Sequence, residues 1–410
     1  MFVSRILSKS SQRLKRFTFL QRLAGTRLGR AVAGFPSRRH DARSVTKDTI
    51  YAQRLQNSST VDVVLVSSNG AGLGHLTRLE AINRQLTCST MIYTLSKGFR
   101  RLEKRADELV YFPSSATLDL SSSTWNPLFF GHFSAFIATT NPKVIVFDGT
   151  FLYAPVVETS KALGVPLVWI RRGRWKDNVR SRSIQFNSPE KFCDLVIVPG
   201  EYANTDSIST SSSVENVAPV VVHEQIELLT RQAALEGFAL SSVKKYVLVQ
   251  LGAGNINDID DWVSAACDAI LSLGEEWVPV LLSNPLSSDR QLPSKAVIIK
   301  AFPISLYLNA FEFVLIAAGY NSVQEAIAAE IPFITVPNLK TATDDQLRRA
   351  LAIDEAGLGI AVSQLADLRS AIHKLASPMI RDQMRRIQSS GQKPDGARQI
   401  AHILCERYGI

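Results

Sequence analysis

Twice in this chain a short apolar run of strand length ends in a glycine-rich turn and continues into a helical pattern. Val61 to Ser67 (VDVVLVS) leads into Asn69-Gly70-Ala71-Gly72-Leu73-Gly74-His75 and a helix expected over Leu76 to Leu86. Tyr246 to Leu251 leads into Gly252-Ala253-Gly254-Asn255 and a helix expected over Trp262 to Leu273. A continuous apolar strand has to be covered on both faces, which is the situation of a parallel sheet between helix layers. Glycines let the backbone approach an anion and the helix N-terminus faces it, so each turn is a candidate phosphate or diphosphate site; a tight βα turn that merely saves space reads the same way. Two such units, 182 residues apart in a chain of 410, predict an α/β protein of two doubly wound, Rossmann-like halves.

The expected divisions are a basic extension over 1–57, a first Rossmann-like domain over 58–228, a linker over 229–243, a second domain over 244–394, and a C-terminal helix over 395–410 that crosses back to the first domain. Charge separates the extension from the rest. Residues 1–60 hold thirteen Lys or Arg against Asp41 and Asp48, so the formal net charge of +9 is confined there and the remaining residues are slightly acidic. The extension reads as an amphipathic helix on an anionic membrane surface, as an organelle transit peptide, or as a solvated tail. No apolar run approaches the ~18 residues that a membrane span needs, and no nucleic-acid-binding module accompanies the basic residues. Cys88, Cys193, Cys267 and Cys405 are scattered without metal or disulfide spacing, which predicts reduced thiols, a cytoplasmic setting and no metal site.

The densest chemistry lies at Phe313 to Ala350. It reads as strand, Gly turn, helix, strand, then a polar loop opening another helix. The helix is expected to start at Asn321 or Ser322, where Ser322 and Glu325 fit a capping box. The same geometry allows a second role: free N–H groups at Gly319 to Ser322 would hold a phosphate, and the Glu325 carboxylate would accept ribose hydroxyls. Thr341, Thr343, Asp344, Asp345 and Gln346 form a loop suited to sugar hydroxyls.

Gly319-Tyr320-Asn321-Ser322, Glu325, Pro332, Pro337, Asp344-Asp345-Gln346 and Arg349-Ala350 resemble the nucleotide-sugar half of glycosyltransferase family 28, which includes the peptidoglycan lipid-linked N-acetylglucosaminyltransferases and the plant galactolipid synthases. The resemblance implies a GT-B fold: two Rossmann-like domains facing a cleft, the donor on the second and the acceptor on the first. It also implies a UDP-sugar donor, a lipid or glycan acceptor, inverting transfer without metal or other cofactor, and work at the inner membrane face. By the same resemblance, the donor would touch Gly252, Gly254, Asn255, Phe302, Gly319, Asn321, Ser322, Glu325, Asp344, Asp345 and Gln346, with the backbone near Phe302 meeting the uracil edge.

The first domain supplies the candidate base. His75, at the first turn of a helix, feels the positive dipole end and is kept neutral. Asp148 ends the strand Lys143 to Phe147, where open α/β sheets place ligands, and is a second candidate. Gly70, Gly72, Gly74 and Arg78, together with Arg171 and Arg172 at the end of the strand Leu167 to Ile170, are candidates for phosphate or acceptor contacts, since a guanidinium fork matches phosphate oxygens. The form Gly-His-x-x-Arg at Gly74 to Arg78 is closer to the UDP-sugar hydrolase of the pseudaminic acid pathway. A hydrolase using water as acceptor therefore stays open, as does a sugar-nucleotide-binding protein that no longer catalyses.

Overall fold

The computed structural model describes residues 60–68, 73–101, 108–203, 213–252, 260–282, 295–391 and 393–410. Gly70, Gly72, Gly254, Asn255 and the basic extension lie outside the described residues.

In the first domain the strands are β1 (Val63–Ser67), β2 (Thr90–Thr94), β3 (Leu109–Tyr111), β4 (Val144–Asp148), β5 (Leu167–Ile170), β6 (Leu195–Pro199) and β7 (Val214–Val217). Helices α1 (Gly74–Asn83), α2 (Ser115–Leu118), α3 (Ser122–Thr140), α4 (Ala154–Leu163), α5 (Asp177–Arg180) and α6 (Ile184–Asn187) lie between them. The second domain holds α7 (Arg231–Gly237), β8 (Lys245–Gln250), α8 (Asp260–Leu271), β9 (Trp277–Leu282), β10 (Val297–Ile299), β11 (Phe313–Ala317), α9 (Tyr320–Ala328), β12 (Phe333–Val336), α10 (Gln346–Glu355), β13 (Ile360–Ala361), α11 (Leu368–Ala376) and α12 (Pro378–Ser389). The chain closes with α13 (Gly396–Tyr408).

Both sheets are parallel throughout and have the same winding. The first runs β3-β2-β1-β4-β5-β6-β7 and the second β10-β9-β8-β11-β12-β13. In each the order reverses between the first strand and the fourth, where the crossovers leave a crevice at the carboxyl ends. Ser67 pairs with Asp148 across the first reversal, and Gln250 with Ile316 across the second. The strands are buried along nearly their whole length, which matches their unbroken apolar sequences.

Two expectations change at the element level. The Ser/Thr-rich stretch from Thr117 to Pro127, read as a loop, forms the end of α2 and the start of α3. Ser114 and Ser121 accept from the backbone N–H of Thr117 and Thr124, so these hydroxyls are helix caps. The strand expected over Val217 to Val222 sits earlier, over Val214 to Val217.

The C-terminal helix α13 packs on the first domain. Ala397, Ile400 and Leu404 share one core with Leu76, Leu79 and Ile82 of α1. Gly396 makes this approach possible: a Cβ there would lie 2.0 Å from the carbonyl oxygen of Ala218. The four cysteines are free thiols, and burial pushes those of Cys193 and Cys267 up to about 12.

Candidate active site

The reversal of the first sheet sets Asp148 at the end of β4 beside the first turn of α1. His75 Nδ1 lies 2.6 Å from Asp148 Oδ1, and both side chains are buried. Arg78, one turn along α1, grips the same carboxylate with Nε at 2.7 Å and Nη2 at 2.5 Å. Burial favours a neutral Asp148, but the Arg78 charge and the hydrogen bonds from His75 and Arg78 outweigh it and hold the carboxyl below its usual range. His75 shifts the other way from a free imidazole: burial lowers it more than Asp148 raises it, with Arg172 and Arg78 adding to the lowering. An ionised Asp148 next to a neutral imidazole puts the ring proton on Nδ1. Nε2 is then left as a lone-pair base with no partner among the described residues.

The two sequence candidates for the base therefore have different positions. Asp148 is fully buried behind His75 and bound on both oxygens, so it cannot reach a substrate; it orients the imidazole instead. Only His75 presents a free basic nitrogen.

Across the cleft, β11 ends at Ala317 and α9 begins at Tyr320 with Gly319 as its N-cap. The helix starts earlier than expected, Ser322 lies inside its first turn, and no side chain caps it, so the Ser322–Glu325 capping box does not form. The N–H groups of Tyr320, Asn321 and Ser322 carry no hydrogen bond among the described residues. They form an open, positive helix end. The Glu325 carboxyl also has no hydrogen-bond or ion-pair partner among the described residues, and burial pushes it up to about 7. Gly252, at the matching end of β8, has φ +99°, a conformation that suits glycine. Phe302 follows β10 and is partly buried.

Several donor candidates turn out to be occupied. The Asn321 amide oxygen accepts from Arg78 Nη1 at 3.1 Å and its nitrogen donates to the Gly74 carbonyl at 3.1 Å, so both ends of the amide bind the first domain. Asp344 is held by Arg349 at 2.8 and 3.1 Å. Asp345 caps α10 by accepting from the N–H of Arg348, and Gln346 Oε1 accepts from the N–H of Asn338. The last two shape the loop as well as lining it.

The arginines after β5 also divide. Arg171 is buried between rings, 4.1 Å from the centroid of Phe186 and 5.7 Å from that of Trp169, and donates to the Phe186 carbonyl. It packs as a core residue. Arg172 remains partly exposed, with a loose ion pair to Asp344 at 3.8 Å. Arg174, Trp175 and Lys176 strap the first domain to the loop before α10: Trp175 forms an antiparallel bridge with Asp344, Lys176 N donates to the Thr343 carbonyl and Asp345 N to that of Arg174.

Three residues given no site role from the sequence hold the cleft walls together. Arg349, fully buried, binds Glu201 of the first domain at 2.6 and 2.8 Å as well as Asp344. The Tyr320 hydroxyl donates to the Gly200 carbonyl and accepts from the N–H of Val220. Arg349 stood in the DDQ-x-x-RA run and could have been flagged there. Tyr320 stood likewise in the Gly319-Tyr320-Asn321-Ser322 run, whereas nothing around Glu201 marks it in sequence. No group of three His, Cys, Asp or Glu side chains suited to a metal ion occurs among the described residues. No helix there is long and apolar enough to cross a membrane.

Residues 283–401 match the glycosyltransferase family 28 C-terminal domain. The chain is similar to UDP-N-acetylglucosamine--N-acetylmuramyl-(pentapeptide) pyrophosphoryl-undecaprenol N-acetylglucosamine transferases. The one from Synechococcus sp. (strain JA-2-3B'a(2-13)) is 22% identical over 276 residues, covering 64% of this chain and 71% of that protein. The one from Desulforamulus reducens (strain ATCC BAA-1160 / DSM 100696 / MI-1) is 24% identical over 290 residues, covering 65% and 74%. Acinetobacter baumannii MurG superposes with a TM-score of 0.56 at 13% identity, over 84% of this chain and 99% of that one. The chain thus carries a glycosyltransferase family 28 C-terminal domain on a GT-B architecture of two parallel sheets, and is a hexosyltransferase.

Proposed function

We propose that this protein moves a hexose or N-acetylhexosamine from a UDP-sugar to a hydroxyl of a lipid or glycan acceptor, with inversion and without a metal or other cofactor. The observation that carries the reading is the buried His75–Asp148 pair at the start of α1, beside which Asn321 at the start of α9 reaches across from the second domain to the Gly74 carbonyl. His75 Nε2 takes the proton of the acceptor hydroxyl as its oxygen bonds to the anomeric carbon, and the bond from that carbon to the diphosphate breaks. UDP leaves with the bonding electrons. Its growing charge is met by the open N–H groups of Tyr320, Asn321 and Ser322 and by the dipole of α9, donors fixed before the reaction begins. Glu325 takes the ribose hydroxyls, while Arg172 offers a charge to the diphosphate or to an anionic acceptor. The named relatives transfer N-acetylglucosamine to a pyrophosphoryl-undecaprenol-linked acceptor, which supports a lipid-linked acceptor here; such an acceptor would be met at the inner membrane face, with the basic extension on anionic lipid.

Release of UDP from a panel of UDP-sugars, measured with and without lipid and glycan acceptors and with EDTA present, tests this. The expected result is UDP only when acceptor is present, undiminished by EDTA. His75→Ala is expected to lower the rate about 10²- to 10⁴-fold while leaving UDP binding intact. UDP released from wild type without acceptor would replace the transferase reading with a hydrolase; UDP binding without turnover would leave a binding protein.

A further inference from the structure

We propose that Asn321 and Arg78 are positioning residues: the Asn321 amide, reaching from the donor domain, holds Arg78 against Asp148 and completes the His75 pair only when the two domains are closed on one another. The proposal rests on the transferase reading for its kinetic consequence, though not for its geometry.

The amide touches two points of the first domain. Its nitrogen donates at 3.1 Å to the carbonyl of Gly74, the residue immediately before the base. Its oxygen accepts at 3.1 Å from Nη1 of Arg78, the cation behind the carboxylate that orients the base. Arg78 is 1% exposed and places its guanidinium 5.3 Å from the centroid of the Tyr320 ring, also on α9. Its Nε and Nη2 are committed to Asp148, so Nη1 is the one edge of the fork turned to the second domain. Without the Asn321 oxygen that buried donor is unpaired, and a guanidinium that must satisfy it elsewhere turns away from Asp148.

His75, Arg78 and Asp148 all come from the first domain, yet the contact that completes their network comes from the helix whose open end faces the donor. Base assembly and donor-domain closure are thus one event. An open cleft leaves Arg78 short of a partner and admits water to His75.

The test compares wild type with Asn321→Ala, the isosteric Asn321→Asp and Arg78→Lys, using three readouts: UDP affinity by calorimetry, kcat in the transfer assay, and titration of the His75 ring by NMR. Asp148, Arg78 and Arg172 are the charged groups acting on that ring. For Asn321→Ala, UDP Kd is expected to stay within about twofold of wild type while kcat falls about tenfold or more, as misplacement of a reacting group requires. The His75 titration is expected to move upward as water reaches the ring. Asn321→Asp offers Arg78 an oxygen but sets another against the Gly74 carbonyl, and is expected to behave like Asn321→Ala. Arg78→Lys keeps the charge without the fork and is expected to lower kcat with UDP affinity unchanged. A kcat for Asn321→Ala within about twofold of wild type, a loss of UDP affinity matching the loss of kcat/KM, or an unmoved His75 titration would overturn the proposal. The titration needs no turnover, so it decides the bridge even if no UDP-sugar is a substrate.

Discussion

Glu325 is a side chain whose state in the folded protein differs from its state in water. Its carboxyl has no partner among the described residues, and burial lifts it to about 7. An acid raised on folding contributes stability that is fully present below its unfolded value, ~4.3, and is lost as pH rises through 7. Glu325→Gln is therefore expected to make the protein more stable than wild type above pH 7, with the difference vanishing near pH 4, as urea unfolding across that range would show. On the ribose role proposed for Glu325, the same substitution is expected to weaken UDP binding by about 1.5–3 kcal/mol, read by calorimetry. A helix cap would have the opposite signature on stability. Ser322-x-x-Glu325 has the spacing of a capping box, but spacing says nothing about where the preceding turn delivers the first helical residue, and here that residue is Tyr320.

At the scale of elements, each βα unit was readable because an unbroken apolar run followed by glycine and an amphipathic segment has few other solutions. The polar loop before α10 was less readable. Asp344, Asp345 and Gln346 have sugar-binding chemistry, and the same oxygens also serve backbone N–H groups and Arg349. For Asp345 the two roles separate by mutation. Asp345→Ala is expected to destabilise the protein by about 1 kcal/mol through loss of the α10 cap, and Asp345→Ser to restore stability. A change in donor-sugar preference that persists in the serine variant would assign Asp345 to sugar recognition; normal preference in both would leave it a cap.

For the whole molecule, the cleft is closed by charges as well as by shape. Arg349 stands between Glu201 of the first domain and Asp344 of the loop before α10, with its Nη1 also on the Ala318 carbonyl. Burial raises the Asp344 carboxyl less than Arg349 and Arg172 lower it, so it stays below its usual range. Arg349→Met leaves the buried Glu201 carboxylate unpaired and Asp344 with its loose ion pair to Arg172, and is expected to cost about 3–5 kcal/mol at pH 7, measured by urea unfolding. The deficit should shrink as pH falls and the stranded carboxylates take up protons. A full-sized deficit at low pH would place the loss in packing of the arginine stem.

Two Rossmann-like halves, the Gly turns, His75 as a base candidate and the nucleotide-sugar motif were all present in the order of residues, because hydrophobic period and helix-end chemistry act over distances of a few residues. The roles of Asp148, Asn321, Arg171 and Glu201 were not. Asp148 became an orienting group because β4 pairs with β1 and sets it behind His75. Arg171 became a core residue because Phe186 lies on its guanidinium. Asn321 and Glu201 are bridges because the two domains meet face to face, with partners 247 and 148 residues away along the chain. A polar side chain in a cleft takes its role from whichever group desolvates and pairs with it, and that group is chosen by the packing of the whole chain.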